Sequence, residues 1–222
     1  MTYMYLYGAG GHSKVILDIL ASQQITVQAI FDDDPPNIKN REVEVKSGIR
    51  LLGGQPLGEF DAPFIISVGN NARRAEIARL LNARFGKAIH ESAIISPKAS
   101  IGDGTVILHG SIIQAAAQVG EHVLVNTAAS IDHDNVIGDF AHISPHATLC
   151  GHVKVGEGTH IGAGAVVIPS ITIGRWCTIG AGAVVIRDIP DFAVAVGNPA
   201  RLIKMLDADQ VLPHRPLLQE NC

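Results

Sequence analysis

The sequence predicts a small α/β domain followed by a parallel β-helix. Two observations carry that prediction. From Ile95 to Pro190 the chain reads in sixes. An aliphatic residue leads every hexad, from Ile95, Ile101 and Ile107 to Ile179 and Val185, with no insertion across sixteen hexads. Ahead of residue 90, strand-like and helix-like stretches alternate, the pattern of a parallel sheet with helices on its faces.

A period of six fits neither a helix of 3.6 residues per turn nor an ordinary hairpin. It fits a solenoid in which each hexad is one short strand and one corner. The leading aliphatic residue points inward. The fifth residue is small or β-branched almost throughout, as at Ala117, Val123, Ala129 and Ala183, and fills the space beside it. Asn135 is the one amide at that position. Glycine recurs at the second position, as at Gly102, Gly120, Gly138, Gly156, Gly162, Gly174 and Gly180, where it is expected to relieve unusual dihedrals at the corner. Stacked coils then satisfy backbone groups from above and below.

The N-terminal elements follow in order. Thr2 to Tyr7 reads as a strand, Gly8-Ala9-Gly10-Gly11-His12 as a turn, and Ser13 to Ala21 as an amphipathic helix. Val27 to Phe31 reads as a second strand, ending at Asp32-Asp33-Asp34 and broken by Pro35, Pro36 and Asn37. Residues 38–60 carry no clear pattern, with turns expected at Gly48, Gly53 and Gly54. Phe64 to Val68 is a further strand, closed by Gly69-Asn70-Asn71. A helix from Ala72 to about Phe85 should carry Arg73, Arg74 and Arg79 on its polar face. This is a small Rossmann-like unit, under ninety residues, and it lacks the full G-x-G-x-x-G of a dinucleotide site. Ligands in such sheets bind beyond the carboxyl ends of the strands, which gathers Gly8–His12, Asp32–Asp33 and Gly69–Asn71 at one end. Glycines there let a backbone approach a phosphate, and a helix N-terminus favours an anion. The expected domains are 1–89, 90–192 and a capping tail, 193–222.

Composition narrows the function. At 222 residues the chain holds two modest domains. Aromatics are scarce, at 5%, as suits thin coils of Ile, Val and Ala. A net charge of -4 argues against a nucleic-acid binder. No apolar run is long enough to span a membrane, and MTYMYLYGAGGH lacks the basic start and apolar core of a signal peptide. Cys150, Cys177 and Cys222 have no metal-ligand spacing, and an odd cysteine count without a secretion signal points to the reducing cytoplasm. Cys177, at an inward position, is expected to pack in the core.

The hexads resemble the hexapeptide-repeat acyltransferases, which implies a left-handed β-helix with three hexads per coil. Several segments together narrow the likeness: G-A-G-G-H, I-F-D-D, S-V-G-N-N, I-S-P-K-A-S-I-G, then V-N-T-A-A-S-I-D-H-D-N-V-I-G-D-F-A-H-I-S-P and the closing V-G-N-P-A-R. From Tyr5 to about Lys204 the chain resembles the PglD/NeuD-type sugar acetyltransferases. That resemblance implies an acetyl-coenzyme A-dependent enzyme without a metal. It acetylates the amino group of a nucleotide-linked 4-amino-4,6-dideoxy sugar, with UDP the expected nucleotide, in bacterial glycan biosynthesis. It also implies a homotrimer with sites between neighbouring prisms. The implied general base is His133, with Asp134 raising its basicity. The implied coenzyme contacts are His142, Ala163 and Ala181. The implied nucleotide-sugar contacts are Gly10, Gly11, His12, Asp32, Asp33 and Gly69.

The chemistry fits those residue types. A sugar amine is largely protonated near neutral pH, and a histidine of ordinary pKa near 6.5 can take its proton and pass one to the leaving thiolate. An adjacent carboxylate favours imidazolium and orients the ring. His109, His122, His146, His152 and His160 read as surface or groove histidines, and Asn126 as an inward-stacked polar residue. Asn135 either bonds within its turn or tunes the site. Three other functions stay open: a sialic acid O-acetyltransferase, a γ-carbonic-anhydrase-like zinc enzyme using a pair such as His142–His146, and a non-catalytic nucleotide-binding scaffold.

Overall fold

The computed structural model describes residues 2–33, 50–53, 56 and 60–211. Asp34, the Pro35-Pro36-Asn37 break and the turns expected at Gly48 and Gly54 lie outside the described residues. The N-terminal unit is a parallel sheet of β1 (Thr2–Tyr7), β2 (Ile25–Asp32), β3 (Arg50–Gly53) and β4 (Phe64–Ile66), in the order β3-β2-β1-β4. β3 forms within the stretch that carries no sequence pattern, and pairs Ala29 to Asp32 with Arg50 to Gly53.

Alternation along β1 decides what packs where. Met4 and Leu6 face α1 (Gly11–Ser22), together with Ile16, Ile19 and Leu20. Tyr7 faces the other way with Phe31, Phe64 and Ile66, under Ile77 and Leu81 of the second helix. That helix, α2, spans Asn71–Leu80, and Asn70 caps it by accepting from the Arg73 amide. It stops well before Phe85. Leu81 turns extended, and the Phe64 amide donates to Arg84 O while the Gly86 amide donates to Phe64 O. Pairing with β4 therefore overrides the helical pattern there.

The C-terminal unit is a left-handed parallel β-helix with three faces. The first face stacks Ala88–Ile89, Val106–Ile107, Leu124–Val125, His142–Ile143, His160–Ile161 and Thr178–Ile179, and ends in Ala193–Val196 and the antiparallel Arg201–Met205. The second runs from Ile94–Ile95 to Val184–Val185, the third from Ser100–Ile101 to Thr172–Ile173. Leu124 pairs with Val106 below and His142 above, one coil being three hexads. Strand pairing begins one hexad before Ile95, at Ala88–Ile89. The inward aliphatic residues are sealed: Ile107, Val125, Ile131, Ile143, Leu149, Ile161 and Val167 have no exposed surface. Each such side chain contributes about 1.5–3 kcal/mol.

The second-position glycines serve a different need from the one expected. The left-handed dihedral belongs to the fourth residue of the hexad, as at Ala116 (φ 60), Asp134 (φ 58), His152 (φ 61) and Gly164 (φ 65). At the second position the constraint is the coil above. A Cβ on Gly102 would lie 2.5 Å from the Gly120 carbonyl carbon. The prism carries the N-terminal unit on its first face, where Ala88, Val106 and Leu124 join the α1 cluster.

Gly102→Ala should lower unfolding stability by about 1–3 kcal/mol, because the clash is with backbone that cannot step aside. Gly164→Asn, at a left-handed position with nothing within 4 Å of a Cβ, should stay within about 1 kcal/mol of the parent. Denaturant titration of both variants compares the two needs directly.

Candidate active site

The outward side chains of the first face change character with height. Val106 and Leu124 meet α1, then His142 and His160 follow in the same column, each one coil apart. The His142 and His160 rings stack at 4.9 Å, and His12, from the first turn of α1, stands edge-on at 6.1 Å from His142. His12 comes this close because residue 69 is glycine: a Cβ there would sit 2.8 Å from the imidazole. Asn126 Nδ2 lies 3.1 Å from His142 Nε2, and Ser144 Oγ lies 2.7 Å from His160 Nε2. Asn126 is thus half-buried and points outward onto His142, not inward as its hexad reading suggested.

Arg74 is also placed otherwise than its polar-face reading. It is wholly buried and bridges the two units. Its guanidinium donates to Val68 O, Gly69 O and Asn71 Oδ1 on one side, and to His122 O, Phe140 O and Ala141 O on the other. Asn71 Nδ2 adds a bond to Gly158 O. Burial pushes Arg74 down to about 9, which leaves it cationic near neutral pH. Its spacing gave a signal, since it stands three and seven residues ahead of the buried Ile77 and Leu81. Burial, with the Arg74 charge as a further cause, holds His12 and His160 below the ordinary histidine range and His142 at about 3. His122 is buried too, not superficial. Its ring lies between Phe85 and Phe140, and its Nδ1 has no partner among the described residues. Burial and then Arg74 lower it to about 4.

A cavity of about 350 Å³ opens beside this column, lined by Gly69, Asn70, Asn71, His160, Trp176 and Thr178 among others. At the strand ends of the N-terminal sheet, Gly10 caps α1 and Gly11 is open to solvent. The buried Asp32 carboxylate accepts from the Ala9 amide at 2.7 Å and holds the glycine turn closed. Asp33, more exposed, receives Arg73 and the Tyr7 hydroxyl. Burial, then that hydrogen bond, raises Tyr7 far above the usual phenol range.

His133 stands elsewhere. It occupies the corner between the second and third faces, opposite the first face on which His12, Gly69 and His142 meet. Asp134 takes the left-handed position, and its Oδ2 lies 2.8 Å from His133 Nδ1. Asp132 accepts from the His133 amide at 2.8 Å. Asn135, fully buried, fixes the turn from beneath, donating to Asp132 O and Leu149 O and accepting from the Val153 amide. The ring lies over Gly151, where a Cβ would come within 2.6 Å. The hydrogen bond to Asp134 raises the His133 pKa. Ala163 and Ala181 sit exposed one above the other at the corner between the first and second faces. Within one chain, then, His12, Gly69 and His142 gather at one place, while His133–Asp134 and Ala163–Ala181 occupy two other edges.

Residues 4–81 match the PglD N-terminal domain, and residues 128–168 and 152–187 match the bacterial transferase hexapeptide repeats. A crystal structure of PerB from Caulobacter crescentus, in complex with CoA and GDP-perosamine, superposes with a TM-score of 0.81 at 33% identity, covering 92% of this chain and 98% of that one. The chain belongs to the PglD-type family of sugar acetyltransferases. Another structure of comparable likeness is the acetyltransferase domain of PglB from Neisseria gonorrhoeae in complex with acetyl coenzyme A. Its TM-score is 0.80 and its identity 35%, with 90% of this chain and 98% of that one covered. UDP-N-acetylbacillosamine N-acetyltransferase of Bacillus subtilis is 43% identical over 119 residues, 49% of this chain and 52% of that protein. The chain thus spans about half of that relative, and 21% of an uncharacterised protein of Acanthamoeba polyphaga mimivirus to which it is 35% identical over 108 residues. The PglD-type fold accounts for the sheet order and the prism described above. Among the described residues no helix is long and apolar enough to cross a membrane.

The buried histidines predict an acid limit to stability. The unfolded chain protonates them below about pH 6.5, whereas His122 and His142 in the folded chain wait until about 4 and about 3. The unfolded state therefore binds more protons in that window, and stability falls as pH drops through it. Calorimetry from pH 7 to 4 should show the midpoint falling, and falling less steeply in His122→Gln.

Proposed function

We propose that this protein transfers acetyl from acetyl-coenzyme A to the amino group of a UDP-linked 4-amino-4,6-dideoxy sugar, with His133 as general base. The observation that carries this reading is the His133–Asp134 pair. The carboxylate engages Nδ1, which leaves Nε2 to accept a proton on an exposed corner. The amine lone pair attacks the thioester carbonyl. An N–C bond forms, the C–S bond breaks, and the ammonium proton passes through Nε2 to the departing thiolate. Transfer is direct, with no covalent enzyme intermediate. His142, neutral and held near Asn126, together with Ala163 and Ala181, serves coenzyme A. Gly10, Gly11, His12, Asp32, Asp33 and Gly69 hold the nucleotide sugar, and Asp32 also holds the glycine turn that faces it.

The relatives support the class of acceptor. One structure carries CoA with GDP-perosamine, two others carry the same ligands with one histidine replaced, and the Bacillus subtilis relative is named for a UDP sugar. We choose UDP on that last likeness, in the service of bacterial glycan synthesis in the cytoplasm. His133 and the His12–His142 cluster lie on opposite sides of one prism, so this reading requires a second copy to bring its corner to the first face. A homotrimer with sites between subunits meets that need.

His133→Ala should fold and assemble, bind acetyl-coenzyme A as before, and lose about 10²–10⁴-fold in turnover. Asp134→Asn removes the contact that raises the His133 pKa. Its kcat–pH profile should therefore keep the base deprotonated to lower pH, with the acidic limb displaced downward and the plateau reduced. Near-parental turnover in His133→Ala would overturn the assignment.

Asp33→Ala should raise the acceptor's KM several-fold to about tenfold while leaving that of acetyl-coenzyme A nearly unchanged, the scale of one ordinary hydrogen bond. An acceptor panel of UDP- and GDP-linked amino sugars, with products weighed by mass spectrometry, tests the nucleotide. A fully active monomer in sedimentation would refute the shared site.

A further inference from the structure

We propose that the prism corner formed by His133, Asp134 and His152 is a divalent-cation site of zinc type, and that an ion there switches the base off. Among the described residues these three are the one group of histidine, cysteine and carboxylate side chains whose ligand atoms lie close enough to share an ion, all within 4.8 Å of one another. His152 takes no part in the transfer chemistry derived above, yet it is placed as firmly as His133. It occupies the left-handed position of the next coil, and its amide donates to His133 O at 3.0 Å. That bond brings the two rings edge to face at 5.3 Å, with His152 Nε2 3.7 Å from the Asp134 carboxylate. All three side chains are exposed, so an ion reaches them without opening the fold.

Two imidazoles and a carboxylate are the donor set that zinc accepts, at about 2.0–2.2 Å from each atom, with water in the fourth place. Tetrahedral donors at that distance stand roughly 3.3–3.5 Å apart, within reach of small side-chain rotations here. The consequence for His133 follows from proton bookkeeping. An ion on Nδ1 displaces the Asp134 contact and confines the ring proton to Nε2. An ion on Nε2 occupies the acceptor itself. In both cases His133 can no longer take a proton from the amine, and no redox change is involved. The inhibitory half of this proposal rests on reading His133 as the base; the binding half does not.

The test is calorimetric titration of zinc chloride into the full chain, beside product formation measured by mass spectrometry over the same zinc range. His152→Asn is the informative variant, since Asn tolerates the left-handed backbone and isolates this corner from the chain's other histidines. The expected result is an affinity for zinc at least about tenfold weaker in His152→Asn, an equal loss of sensitivity to zinc inhibition, and basal turnover within about twofold of the parent. Identical isotherms for the parent and His152→Asn would overturn the site. Zinc binding that His152→Asn abolishes, with turnover indifferent to zinc although His133→Ala is inactive, would overturn the switch. An active His133→Ala would instead remove the base assignment and leave the isotherms standing.

Discussion

The buried Arg74 guanidinium is the interaction on which the arrangement of the two units depends. A charge taken wholly out of water is costly unless its donors are satisfied. Here they are satisfied by carbonyls from two separate parts of the chain, the Val68–Gly69 loop and the His122 and Phe140–Ala141 corners of two successive coils. Neither unit alone supplies the full set, so the charge is stable only when both are docked. The same residue fixes the loop that carries Gly69, and Gly69 in turn admits the His12 ring. The column of His12, His142 and His160 on the first face thus takes part of its geometry from a buried side chain that belongs to the junction of the two units.

Burial, with the Arg74 charge as a lesser cause, sorts the histidines electrically. Those gathered around Arg74 are buried near a positive charge and stay neutral, with His142 at about 3 and His122 at about 4. His133, on the far corner, has a carboxylate as its neighbour and is shifted the other way. Groups whose environments push their pKa values apart divide acid–base roles between them. A histidine at about 3 is a poor proton acceptor for an ammonium group but a sound neutral hydrogen-bonding partner, whereas the hydrogen bond to Asp134 shifts His133 toward greater basicity. Environment, more than residue type, separates the proposed base from the proposed coenzyme contact.

What the sequence made legible follows the range of the forces involved. The prism was readable because its core repeats every six residues, and each coil buries against a copy of the same pattern. β1 and α1 were readable for the same local reason. Arg74 was misplaced because the acceptors that make its burial tolerable stand some fifty to seventy residues away, in turns that look like any others. The second-position glycines were recognised but explained wrongly, since a pattern along the chain says nothing of the backbone stacked above it. Asn135 broke the inward rule visibly, yet only the coil above and the turn before it reveal that its amide replaces apolar packing with three backbone hydrogen bonds. His152 gave no signal because its partners, His133 and Asp134, belong to the coil below.

One relation was present in the sequence and needed only the coil length to be read. Residues on the same face recur as Val106, Leu124, His142 and His160, so one coil is the interval between successive members of that series. His133 precedes His142 by half that interval. In a three-faced prism half a coil carries the chain from a face to the corner opposite it. A histidine pair so spaced therefore points to opposite sides of its own molecule, however short the segment between. On the proposed reading, where both histidines serve one reaction, the spacing demands that they come from different copies. Closed rotational symmetry supplies that with a single kind of contact repeated around an axis. The prism offers a corner on one copy and an N-terminal unit seated on a face of the next. The rigidity of the coil, held by backbone pairing at every strand, is what turns a spacing in the chain into a statement about assembly.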